Sequence, residues 1–205
     1  MKITTFVVVA ILALGCSSLF AAETDVHPER DTGICLESLT AGISWACPSE
    51  GDAAYTLYDH ICFASDKIAG KLTVEYWSDG YDRYTLYLGS AECRSTTAAV
   101  RWDDMDRLWV GFNHAEKITN ELTFVVRPLV GANSATEDRL YLIADYSAGG
   151  KIGAMAFFAG IDDNGKTEDL YLGPTFRNGR ASYWLAANVS NSGIYADISY
   201  TIPLK

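Results

Sequence analysis

The chain has 205 residues, 49% hydrophobic and 20% charged, a composition that excludes intrinsic disorder and is long enough for one well-buried domain. Its formal net charge is −10, with 16 Lys and Arg scattered among 26 Asp and Glu, which opposes nucleic acid and anionic lipid as partners.

In chain order, Met1-Lys2, an apolar run from Ile3 to Leu14, and the small-residue stretch ending Ala21-Ala22 read as a secretory signal peptide over residues 1–22. Leu12-Ala13-Leu14-Gly15-Cys16 loosely resembles the lipobox of bacterial lipoproteins, which would make Cys16 a lipid anchor. Residues 23–34 are polar and contain His27-Pro28, and are expected to form a flexible lead-in. No later apolar run is long enough to span a bilayer as a helix, and a membrane is not expected as a partner apart from that anchor.

Residues 35–205 read as one all-β domain. The stretch from Cys35 to Ala69 shows no sustained helical period, and loops with short strands are expected there. Cys35, Cys47, Cys62 and Cys93 are an even number in an exported chain, so two disulfides are expected, and pairing Cys35 with Cys47 and Cys62 with Cys93 gives the shortest loops. No close Cys or His pairs suit zinc, and neither a metal nor another cofactor is expected. Leu72, Val74 and Tyr76 alternate with Thr73, Glu75 and Trp77, and Asp79-Gly80 then turns the chain into Tyr84, Leu86 and Leu88. Strands follow at Leu108 to Phe112, Leu122 to Val130 and Leu140 to Tyr146. This spacing predicts an antiparallel β-sandwich or closed barrel of about nine or ten strands.

From Lys151 to Pro203 the chain reads as a meander of hairpins turning at Asn164-Gly165, Asn178-Gly179 and Ser192-Gly193. These turns place Leu172, Pro174, Phe176, Tyr183 and Leu185 on one apolar face, taken as the core. The other face then collects Phe158, Tyr171 and Trp184 beside Asn188 and Asp197.

Function is read from that second face. Its three rings would stack on a sugar, and Asn188 and Asp197 would hydrogen-bond hydroxyls, giving an exported, disulfide-bonded protein that binds a glycan or cell-surface ligand. No catalytic motif is present, and a non-enzyme is the favoured reading. A second reading is a carbohydrate-active hydrolase using Asp103, Asp104 and Asp106 between Trp102 and Trp109. A third is an outer-membrane β-barrel, opposed by the crowding of cysteines and the polarity of the alternate face.

Overall fold

Twelve antiparallel strands pair in chain order and the first pairs with the last, so the sheet closes with no free edge. This computed structural model describes residues 33–49, 52–133, 136–161, 167–190 and 192–204. The expected signal peptide, the lipid-anchor alternative at Cys16 and all but the end of the lead-in lie outside the described residues. The first six strands are β1 (Cys35–Cys47), β2 (Ala54–Ala64), β3 (Ile68–Trp77), β4 (Asp82–Ser90), β5 (Thr96–Asp103) and β6 (Leu108–Lys117). The others are β7 (Leu122–Gly131), β8 (Arg139–Ala148), β9 (Ile152–Ile161), β10 (Thr167–Asn178), β11 (Ala181–Asn188) and β12 (Ile194–Pro203).

The all-β antiparallel expectation is correct, whereas the sandwich alternative is not, and the nine or ten expected strands are twelve. β5 was not expected, and where loops with short strands were expected the chain forms the long strands β1 and β2. In β1, Ser38, Thr40, Gly42 and Ser44 occupy alternate positions, so half of a 13-residue strand looks like loop. In β2, Asp59 interrupts the apolar alternation of Tyr55, Leu57, Ile61 and Phe63.

Alternation along each strand sorts side chains between the lumen and the outer surface. On β11, Leu185 is 57% exposed while its neighbours Trp184 and Ala186 are 8% and 3% exposed. The apolar face expected to be a core is therefore the outside of the barrel, and the face taken as its exterior lines the lumen. Sheet closure explains the inversion: a closed sheet has one enclosed side, and on β11 that side carries Trp184 and Ala186 while Leu185 stands outside.

Aromatic residues gather on the outer surface at both ends. Trp45, Tyr55, Tyr76, Tyr84 and Trp102 lie at the ends of their strands away from the chain termini, with Tyr84 and Trp102 stacked at 5.6 Å. Phe124, Tyr146, Phe176, Tyr183 and Tyr200 lie towards the end that carries the termini, with Phe176 and Tyr183 rings 6.0 Å apart. Between these belts the surface is mainly aliphatic. A ten-residue strand tilted by about 45° rises roughly 23 Å, close to the apolar band of a membrane barrel.

The meander turns differ in detail from expectation. Asn178 pairs with Ala181, making Gly179-Arg180 the two-residue loop, and only Gly179 has positive φ, at 61°. That is the pattern of a type II′ turn, which needs Gly at its first central position. Ala187 pairs with Ile194, four residues out of the expected register but on the same face. The expected Asn164-Gly165 turn lies outside the described residues, and the strands that flank it, β9 and β10, are offset by one residue, because Phe157 and not Phe158 opposes Tyr171. A one-residue slip reverses a strand's faces, so Phe158 points outward and Phe157 inward.

The four expected disulfide cysteines are unbonded. Cys35 and Cys47 begin and end the single extended strand β1, about 40 Å apart, whereas a disulfide needs Cα atoms within about 7 Å. Cys62 lies on β2 and Cys93 in the turn after β4, with β3 between those strands.

Candidate functional site

Five strands supply an aromatic wall to the lumen. Tyr141 on β8 lies 5.9 Å from Phe157 on β9, which lies 6.1 Å from Tyr171 on β10. Tyr171 is 6.4 Å from Trp184 on β11 and 5.3 Å from Tyr195 on β12, and those two rings are 5.0 Å apart. Of the expected ring trio, the structure brings Tyr171 and Trp184 together inside the barrel and sends Phe158 to the outer surface. Phe157 takes the vacated place. Two consecutive phenylalanines made the one-residue register error invisible in the alternation.

The expected polar partners are also inward, and both are engaged. Asn188 is 3% exposed and donates to Asp169 Oδ1 at 2.8 Å. Asp197 accepts from the Tyr58 hydroxyl, 3.0 Å from Oδ1 and 2.8 Å from Oδ2. The Tyr58 ring crosses β1 over Gly42, where any Cβ would overlap the ring. These groups close the barrel and do not present themselves at an outer surface, contrary to the sugar-binding expectation.

The facing wall, from β3 to β8, is charged. Arg83 makes a two-point ion pair with Glu75, at 2.7 Å and 2.8 Å. Outside that wall, Arg177 on β10 places Nη2 2.8 Å and 2.7 Å from the two oxygens of Asp145 on β8. Three further cations, Lys71, Arg101 and Arg127, form no ion pair among the described residues. Lys71 Nζ lies 4.8 Å and Arg127 Cζ 5.0 Å from the ring centroid of Tyr87, so two cations share one ring. Arg127 donates to Asn113 Oδ1 at 3.1 Å. Arg101, 4% exposed, donates to Thr85 Oγ1 at 3.1 Å and to the Tyr141 hydroxyl at 2.8 Å. Tyr87, Ala99, Trp109, Leu129 and Tyr141 pack as one buried cluster, with Phe157 and Ala159 against it, and narrow the lumen.

Sequence reasoning missed these charged residues because they are spread over six strands, β3, β4, β5, β7, β8 and β10, and form no run in the sequence. Their signal is an alternation of ionisable and aliphatic residues, as in Lys71, Thr73, Glu75 against Leu72, Val74, Tyr76.

The acidic run proposed for hydrolysis builds a turn. Asp103 accepts from the Tyr81 hydroxyl at 2.7 Å, from Arg107 Nε at 2.8 Å and from the backbone N–H of Met105 at 2.9 Å. Burial and this hydrogen bond push the Tyr81 hydroxyl up to about 12. Trp102 faces outward and Trp109 inward, so they do not flank one cleft.

No protein-family profile and no curated protein matches the sequence. Solved structures do resemble the fold. The chain is similar to the KdgM porin, with a TM-score of 0.55 and 8% identity over 78% of this chain and 98% of that one. It is equally similar to the KdgM porin in complex with disordered oligogalacturonate, with a TM-score of 0.56 and 7% identity over 80% of this chain and 98% of the other. The outer membrane protein Omp33 of Acinetobacter baumannii also matches, with a TM-score of 0.49 and 8% identity over 82% of this chain and 98% of that one. A closed porin-like barrel with an apolar exterior overturns the reading of a soluble, secreted, disulfide-bonded glycan-binding sandwich. It equally overturns the expectation that a membrane is not a partner.

Proposed function

We propose that this chain is an outer-membrane β-barrel that conducts small solutes through a constricted lumen and favours anions. The observation that carries the reading is the outer surface: aliphatic side chains on all twelve strands between two aromatic belts. Lipid offers no hydrogen bonds to backbone groups, and a closed barrel is the β-structure that satisfies all of them internally. The export signal expected over residues 1–22 suits delivery to that location. Similarity to a porin solved with oligogalacturonate supports a conducting role.

Anion preference rests on the unpaired wall. Glu75 and Asp145 are offset by Arg83 and Arg177, whereas Lys71, Arg101 and Arg127 have no such partners among the described residues. Asp197 lies on the opposite side, so a field runs across the lumen, and a small anion passes along the cationic wall.

Reconstitution into planar lipid bilayers tests both statements. Single-channel steps should appear, and under a KCl gradient the reversal potential should lie towards that of chloride. In the double variant Lys71→Gln, Arg127→Gln it should move towards that of potassium. Absence of any steps from correctly folded protein would refute conduction, and a potassium preference in the unmodified protein would refute anion selection.

A further inference from the structure

Between the two aromatic belts, the described outward-facing side chains include one that ionises. Asp59 shares the outer face of β2 with Tyr55, Leu57, Ile61 and Phe63. It stands four residues from Tyr55 and four from Phe63, hence about 13 Å along the strand from either belt. Its cross-strand neighbours are Ala41 on β1 and Val74 on β3. The carboxylate makes no hydrogen bond or ion pair among the described residues. Other outward ionisable groups sit at strand ends: Asp82 opens β4, and His114 and Glu116 lie near the end of β6, where His114 Nδ1 is 2.7 Å from Thr96 Oγ1 at the start of β5.

A carboxyl group at mid-depth in hydrocarbon, between an alanine and a valine, is costly unless something polar meets it. On the membrane reading above, we propose that the β1–β3 face around Asp59 docks a second copy of this chain, so that the two Asp59 carboxyls meet. Barrels inserted with the same orientation in one membrane are related by an axis along the membrane normal, and such an axis brings equal depths together. A polar group at mid-depth therefore meets its own counterpart. The described outer surface between the belts carries no Lys or Arg, so a copy has no cation to offer. Two carboxyls answer each other instead: like charges in one site cannot both ionise, so one keeps its proton and donates to the other. Ala41, exposed beside Asp59, has no side chain beyond Cβ to hold the barrels apart.

The test is crosslinking in native membranes, in a background with Cys35, Cys47, Cys62 and Cys93 changed to Ser. Ala41→Cys with a short bis-maleimide should give a covalent dimer of this chain, while Leu142→Cys, on the outer face of β8, should stay monomeric. Adding Asp59→Lys should abolish the Ala41→Cys product, and co-expressing the lysine chain with the Asp59 chain should restore it. Asp59→Leu, which suits lipid, should also assemble and lose the product, which covers failure of the lysine variant to fold. A monomer at Ala41→Cys, a product indifferent to Asp59, or a product with a different protein would overturn the proposal. Heat-modifiable migration of the same samples separates the two failures: a membrane-inserted barrel without the dimer refutes only this interface, whereas a soluble chain refutes the membrane reading beneath it.

Discussion

Tyr58 reaches across an intervening strand to Asp197, its hydroxyl within 3.0 Å of both carboxylate oxygens, and so ties β2 to β12 over β1. Those residues lie 139 positions apart in sequence. The contact sits where the barrel closes, at the pairing that no local hairpin can nucleate. Closure has to overcome the loop entropy of nearly the whole chain, and a charge-assisted hydrogen bond at the seam offsets part of it.

Tyr58→Phe should therefore weaken the seam without changing the fold. Losing a hydrogen bond to a charged group costs about 1.5–3 kcal/mol. The folded barrel, followed by its faster migration on unheated gels, should convert at a lower temperature. Gly42→Ala should lower it further, because the added methyl overlaps the Tyr58 ring.

Trp184→Ala should open the lumen. The ring packs against Tyr171 and Tyr195, and removing a large buried side chain of this kind costs about 3–5 kcal/mol. Single-channel conductance should rise as stability falls. Leu185→Ala, one residue along and facing outward, should leave conductance unchanged.

Arg177→Gln should move ion selectivity towards cations. Its partner Asp145 then loses its neutralising charge and projects an uncompensated carboxylate into the lumen. The reversal potential under a KCl gradient should shift in the same direction as for the Lys71→Gln, Arg127→Gln double variant.

The rim around Tyr81 should respond to alkali. Its hydroxyl, raised from 10.0 to about 12 by burial and by donation to Asp103, favours the neutral form in the folded protein. The contribution to stability is therefore complete below pH 10 and lost as pH climbs through 12. A pH titration of rim melting should show this loss, and Tyr81→Phe should remove the pH-dependent step.

The alternation of β10, β11 and β12 was legible in sequence, since aliphatic residues fill one set of positions and the turns fix their parity. What alternation cannot tell is which side of the sheet is the interior. Leu172, Leu185 and Ile198 would serve equally well beneath a second sheet or against lipid, and only closure decides. The same ambiguity hid the lumen: Trp184 with Asn188 and Asp197 looks like a ligand platform until Tyr58 and Asp169 are seen to occupy the polar groups. Asp59 breaks the apolar alternation of β2, so a long strand reads there as loops with short strands. Phe157-Phe158 shows the limit of register prediction, because either ring satisfies an aromatic position and a five-residue connection gives no anchor.

Nitroxide scanning of β11 in lipid bilayers tests the account most directly. Spin labels placed one at a time from residue 182 to residue 188, in the cysteine-free background, report access to oxygen, which concentrates in hydrocarbon, and to a polar nickel chelate, which does not. Labels at 183, 185 and 187 should favour oxygen, and labels at 182, 184, 186 and 188 should not. Alternation of the opposite phase, or equal access to the nickel chelate at residues 185 and 187, would contradict a barrel whose aliphatic face meets lipid.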